Sequence, residues 1–360
     1  MAALLMGAAF SCQDSSDGNL TSDNYDRTHL LTYWADSVIV PGFSDYGQRI
    51  DSLHLSVTDF TQSPTTNGLI RVQRAFASAY TAWQDVSLFD IGPADAKLLH
   101  NHTNVYPTDT IELKEALMNS VYSFDLPSTY DIQGLPALDF MLFGRESLTK
   151  TLQLFQNSSA HRQYLEELSS YLNMKTQDVV SEWVSSYRYD FIARSGSSAS
   201  GSVNKLANGF VYHYEKELRA GKVGIPAGVF SGSPLPNRVE ALYSDTLSKV
   251  LLLRSIDAHK RFFEGISHDR TTNGPSLGPY LDHLGKMRNG KLLSSAINDQ
   301  FLIATQHVLT LSMSMREAVE SNNVSMLSSF DELQKNVPLL KVDMMQTLNI
   351  RIDYVDADGD

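Results

Sequence analysis

Through most of this chain apolar residues recur at intervals of three or four, the period of one buried face of a helix. The clearest stretch runs from Asn67 to about Asp90, where Leu69, Val72, Phe76, Tyr80, Trp83 and Val86 form a single stripe. A second contains Leu165, Leu168, Leu172, Val179 and Trp183. A third, from Lys291 to Glu320, carries Leu293, Ile297, Phe301, Ala304, Val308, Leu311, Met315 and Ala318, and a fourth lies between about Val324 and Leu348. Sustained period-two alternation is missing. The Asn-Gly pairs at 67–68, 208–209 and 289–290 adjoin helical patterns and read as caps or turns rather than hairpins. The pattern predicts an all-α fold built from helical bundles.

Breaks in the pattern suggest the organisation. Pro93 to Pro107 reads as a long irregular connection, 126–130 as another, and 221–236 is rich in Gly and Pro. The segment 195–202, Ser-Gly-Ser-Ser-Ala-Ser-Gly-Ser, reads as a linker and divides the chain. The expected division is a leader and tether over 1–24, one helical bundle over 25–195 and a second over 196–360.

A chain of 360 residues is long for one core, and 42% hydrophobic content supplies enough apolar material for two. The 29 basic residues are outnumbered by 41 acidic ones, giving a formal net charge of −12. With no Lys/Arg cluster to offset it, that charge disfavours nucleic-acid binding. The lone cysteine, Cys12, excludes an internal disulfide and a cysteine-based zinc cluster. It follows an apolar run over 2–10 and precedes a polar stretch over 13–19. That order fits a secretion leader, a lipidated cysteine and a tether, although no Lys or Arg precedes Arg27. Acyl chains on Cys12 would hold the protein on a membrane.

One stretch stands out chemically: Gln133-Gly134-Leu135-Pro136-Ala137-Leu138-Asp139, continuing to Leu142-Phe143-Gly144. It is apolar, bounded by glycine, and holds one carboxylate. Pro136 can open a helix, which would set Asp139 near the positive N-terminal end, where it could satisfy free backbone N–H groups. Two smaller groups, His100-Asn101-His102 and His213-Tyr214-Glu215, offer mixed metal-ligand types, but residues two apart on a helix do not face each other, and both groups read as solvated polar surface. The acidic end, Asp353 to Asp360, imitates part of a calcium loop but lacks its closing Glu and reads as a flexible tail. No Gly-x-Ser-x-Gly elbow and no phosphate-cradling glycine loop occurs.

The Gly134–Gly144 stretch resembles the central motif of imelysin-like proteins, commonly Gly-x-His-x-x-Glu followed by an apolar run ending in Leu-Phe-Gly. Other blocks agree in order and spacing: Ala79-Tyr80-Thr81-Ala82-Trp83 with 89–94, Lys222 to Gly228, Asn237-Arg238-Val239-Glu240 with Tyr243-Ser244, and the acidic end. The resemblance implies two helical bundles packed side by side with a pocket near their interface, attachment to the bacterial envelope, and a link to iron uptake. Some relatives have been called metallopeptidases.

This chain departs from the motif where it matters. The motif His is Pro136 and the Glu is Asp139, and none of the ten histidines has Glu or Asp three positions later. Proline has no donor atom, so the usual zinc peptidase ligand set is missing. The expectation is therefore a non-catalytic binding protein for iron or an iron-bearing ligand, lipid-anchored to the outer membrane. Its pocket would draw on Gln133, Gly134, Pro136, Asp139, Arg238, Tyr243 and Ser244, with Asp139 as the metal ligand, Arg238 neutralising it and Trp83 as a wall. A metallopeptidase and a scaffold that docks an envelope protein partner are the alternatives.

Overall fold

The computed structural model describes residues 23–354. The readings placed on the leader, Cys12 and the last six residues lie outside them. The described chain is helical almost throughout. Asp26 caps α1 (Arg27–Tyr33), which runs through a widened turn, Trp34–Ile39, into α2 (Val40–Gln62). The widening has a cause. Pro41 has no N–H to give the Ser37 carbonyl, and that carbonyl instead accepts the His268 N–H at 2.8 Å, from the second half of the chain.

Thr65 caps α3 (Thr66–Val86), and α2 lies between α3 and α7 (Ser159–Glu182). Between them, the connection expected to be irregular over 93–107 contains the short α4 (Leu99–Thr103), and α5 (Thr110–Asn119, capped by Asp109) and α6 (Gly134–Phe143) follow it. Tyr46 against Trp83, with centroids 5.4 Å apart, and Phe43 against Trp183 at 6.3 Å fill the space between these helices.

The segment 195–200 is largely exposed, and beyond it α8 (Ser202–Tyr212) continues into a widened helix over His213–Gly224. It packs with α9 (Leu247–Glu264), α10 (Leu293–Leu309) and α11 (Met315–Pro338). The apolar period read as one helix over 291–320 is broken at 310–314, because Ser314 accepts the Glu317 N–H at 3.0 Å and starts α11 afresh. The Asn289-Gly290 pair turns a minimal hairpin, Met287–Arg288 with Lys291–Leu292, both turn residues having positive φ. It is the one sheet among the described residues.

The two halves meet along α3 and α9. One contiguous set of buried apolar side chains runs through both, with Phe262 set against Trp34 at 4.9 Å and Phe89 at 5.2 Å. No helix among the described residues is long and apolar enough to cross a membrane.

Candidate functional site

The stretch around α6 lies at this seam, but its residues do different things. Gly134 has φ +71°, and a Cβ there would come within 2.4 Å of the Thr103 carbonyl oxygen, so only glycine fits. Gln133 is buried within the first half. Its amide nitrogen donates to Phe124 O at 3.1 Å and Thr129 O at 3.2 Å, and its oxygen faces His102 Nδ1 at 3.3 Å. Pro136 is buried and brings no polar atom.

Asp139 is 1% exposed. It does not cap its own helix. One carboxylate oxygen accepts the Tyr243 backbone N–H at 2.8 Å and the other the Ser244 N–H at 2.9 Å. The carboxylate therefore ties the two halves together. Burial pushes its pKa up to about 6, against the pull of those N–H groups and of Arg316. The Asp139–Tyr243–Ser244 grouping thus forms through backbone atoms. The place expected for Arg238 is corrected: it stands exposed on the turn Pro236–Arg238, and the cation facing Asp139 is Arg316, which also donates to Leu242 O at 2.6 Å. The expected ligand role of Asp139 meets the same obstacle, since both its oxygens are engaged and almost nothing of it reaches solvent. Trp83 is a buried wall between Tyr46 and His100, with ring centroids 5.4 and 5.9 Å away.

A second buried carboxylate, Glu240, crosses the same seam. It pairs with the Lys222 ammonium and accepts from Asn104 Nδ2 at 2.9 Å and Gln84 Nε2 at 3.3 Å. Tyr80 Oη donates to Asn104 Oδ1 at 2.7 Å. Burial, with Glu240 adding to it, holds the Tyr80 and Tyr106 phenols well above their ordinary range. A third crossing joins Asp85 to Arg254 at 2.6 Å and Arg261 at 2.7 Å. Lys222 and Glu240 fall inside motif blocks, where a charged residue among Gly and apolar neighbours was the available signal; Arg316 gave none.

The two histidine-bearing groups are not solvated surface. His213 is buried and its Nδ1 lies 3.2 Å from His259 Nε2, while His259 Nδ1 donates to Ser255 O at 2.8 Å. Burial lowers both imidazoles, His259 to about 4, so they stay neutral. Glu215 is buried beside Lys341 at 3.1 Å, and His102 is buried too. Packing against distant elements buries these positions, which local spacing could not show.

Just outside Asp139's partners a cleft of about 410 Å³ opens, lined in part by Arg145, Tyr243, Asp245, Arg316, Glu317 and Glu320. It presents two guanidiniums, three carboxylates and a phenol ring. Among the described residues one carboxylate trio, Asp109, Glu112 and Asp131, brings its oxygens within 4.8 Å of one another; it is largely exposed and Asp109 is engaged as the α5 cap. The ligand set of a zinc peptidase does not fit: Pro136 cannot coordinate, and Asp139 is held by two backbone N–H groups.

The imelysin family model, peptidase family M75, matches residues 39–335. The chain belongs to the imelysin family. Iron-regulated protein A of Synechococcus elongatus is 24% identical over 150 residues, 42% of this chain and 38% of that protein. The match thus spans well under half of that relative. Two solved structures share the imelysin fold seen here. The crystal structure of an imelysin-like protein from Psychrobacter arcticum has a TM-score of 0.71 at 16% identity, covering 91% of this chain and 97% of that one. That of a putative iron-regulated protein A precursor from Parabacteroides distasonis has a TM-score of 0.72 at 17% identity, covering 88% and 95%.

Proposed function

We propose that this imelysin-family chain is a non-catalytic binding protein of the bacterial envelope that handles an iron-bearing ligand at the seam between its halves. One observation carries the reading. The two positions that would hold a metallopeptidase's ligands are closed, by Pro136 and by the engaged Asp139, while the adjoining cleft exposes guanidinium, carboxylate and phenol groups. Hard ferric iron prefers oxygen donors. The cleft's carboxylates are not gathered into a bare-ion site, whereas Arg145 and Arg316 suit an anionic complex in which iron arrives already chelated. The name iron-regulated protein A, carried by two similar proteins, supports the link to iron. Export and an outer-membrane lipid anchor on Cys12 belong to the same proposal; fatty-acid labelling that persists in Cys12→Ser would remove the anchor.

Titration with ferric citrate tests the site. Binding by the wild type, weakened about tenfold or more in Arg145→Glu, is expected. No binding at millimolar concentration, or equal binding in the variant, would overturn it. Chelator-sensitive cleavage of an unfolded polypeptide in the presence of zinc would restore the peptidase reading.

A further inference from the structure

We propose that a second site, centred on His102 and remote in character from the seam cleft, binds a protonated alkyl amine. The starting point is the ring's fixed tautomer. Gln133 Nε2 has three acceptors around it, Phe124 O at 3.1 Å, Thr129 O at 3.2 Å and Thr129 Oγ1 at 3.4 Å, so its amide nitrogen must point there. Its oxygen therefore faces His102 Nδ1 at 3.3 Å, and Nδ1 must carry the hydrogen. The Tyr171 hydroxyl, 3.5 Å from the same nitrogen, gives its own proton to Asp125 at 2.8 Å and agrees with that assignment. The rings of Tyr130 and Tyr171 meet His102 edge-on at 5.1 and 5.4 Å and fix its plane.

The opposite nitrogen, Nε2, then carries a bare lone pair. No group among the described residues bonds it, and it is not one of the sealed, unsatisfied atoms of the interior, so it is open to the pocket although His102 as a whole is only 4% exposed. His102 lines a pocket of about 390 Å³ together with Lys97, Asp125, Tyr130, Lys175 and Asp178. Both lysines are already matched, Lys97 to Glu182 at 3.1 Å and Lys175 to Asp125 at 3.6 Å. Asp178 is exposed and has no cationic partner among the described residues. The unmet groups are thus a hydrogen-bond acceptor on a rigid ring and a carboxylate, in a pocket that the Tyr130 ring also lines. An ammonium group answers all three: it donates to Nε2, neutralises Asp178 and rests on a π surface. An anion would meet an acceptor and an acid instead.

Burial, helped by Lys175, lowers the His102 pKa, so the lone pair is present at neutral pH. The charged groups facing it are Lys97, Lys175, Asp125 and Asp178. Acidification places a proton on Nε2 and turns the acceptor into a donor.

Calorimetric titration of the full chain with 1,4-diaminobutane, with butyrate as the anionic control, tests the proposal. Saturable binding of the diamine and none of butyrate is expected. His102→Phe, which keeps an aromatic ring in place, should weaken the diamine about tenfold, and Asp178→Asn, on an exposed side chain, by about threefold. Absence of saturable binding, comparable binding of butyrate, or unchanged affinity in Asp178→Asn or in a folded His102→Phe would each overturn it.

Discussion

At Gly134 the backbone itself sets the sequence. The residue takes a positive φ and sits so close to the Thr103 carbonyl that a methyl group has no room. Gly134→Ala should lower stability by roughly 1–3 kcal/mol, read as a shift of the urea midpoint with an unchanged slope. Asp139 makes a pH prediction instead. Its folded pKa of about 6 lies above the ordinary carboxylate value, so the folded state holds the proton more tightly than the unfolded chain. The stabilising contribution is full below the unfolded pKa and is lost as pH rises toward 6. Relative to Asp139→Asn, which cannot ionise, the wild type should lose about 2 kcal/mol between pH 4 and pH 6.5. Urea unfolding of both proteins across that range checks it, and parallel curves would refute it. The sequence grouped Asp139 with Tyr243 and Ser244, over a hundred residues away, but could not show how they meet, because the bonds run through backbone N–H groups that no motif displays.

Among the elements, legibility followed periodicity and capping chemistry. The stripes of α3 and α7 were readable because one face is buried along their whole length. The start of α11 carried a Ser-x-x-Glu signal, Ser314 to Glu317, yet apolar spacing continued smoothly across the break and hid it. The widened helix over His213–Gly224 was harder still. Its Lys222 opens a motif block and is 5% exposed, matched to Glu240 from the next loop, a pairing that no spacing displays. Removing one partner leaves a buried charge without its counterion, whereas removing both does not. Lys222→Met should therefore cost about 3–5 kcal/mol, and Lys222→Met with Glu240→Gln should recover a substantial part of that. Thermal melts of the single and double variants decide the matter; a double variant worse than the sum of its parts would show that the pair is not the unit.

On the scale of the molecule, the exposed Ser-rich segment and the seam make opposite suggestions about independence. The segment 195–200 is largely exposed and invites a cut. The seam, however, is crossed by Asp139 to Tyr243 and Ser244, by Glu240 to Asn104 and Gln84, and by Asp85 to Arg254 and Arg261, all within one continuous apolar core. Separating the halves would strip partners from three buried carboxylates at once, each costing on the order of 1–3 kcal/mol or more when left unsatisfied. Covalent continuity across the linker adds little beside that. A protease site placed within 196–200 and cleaved in the folded protein should yield two fragments that elute together from a sizing column and melt in a single transition near the uncut protein's. Fragments that part without denaturant, or two well-separated transitions, would mean that the halves are held mainly by the chain between them and that the buried crossings contribute little to cohesion.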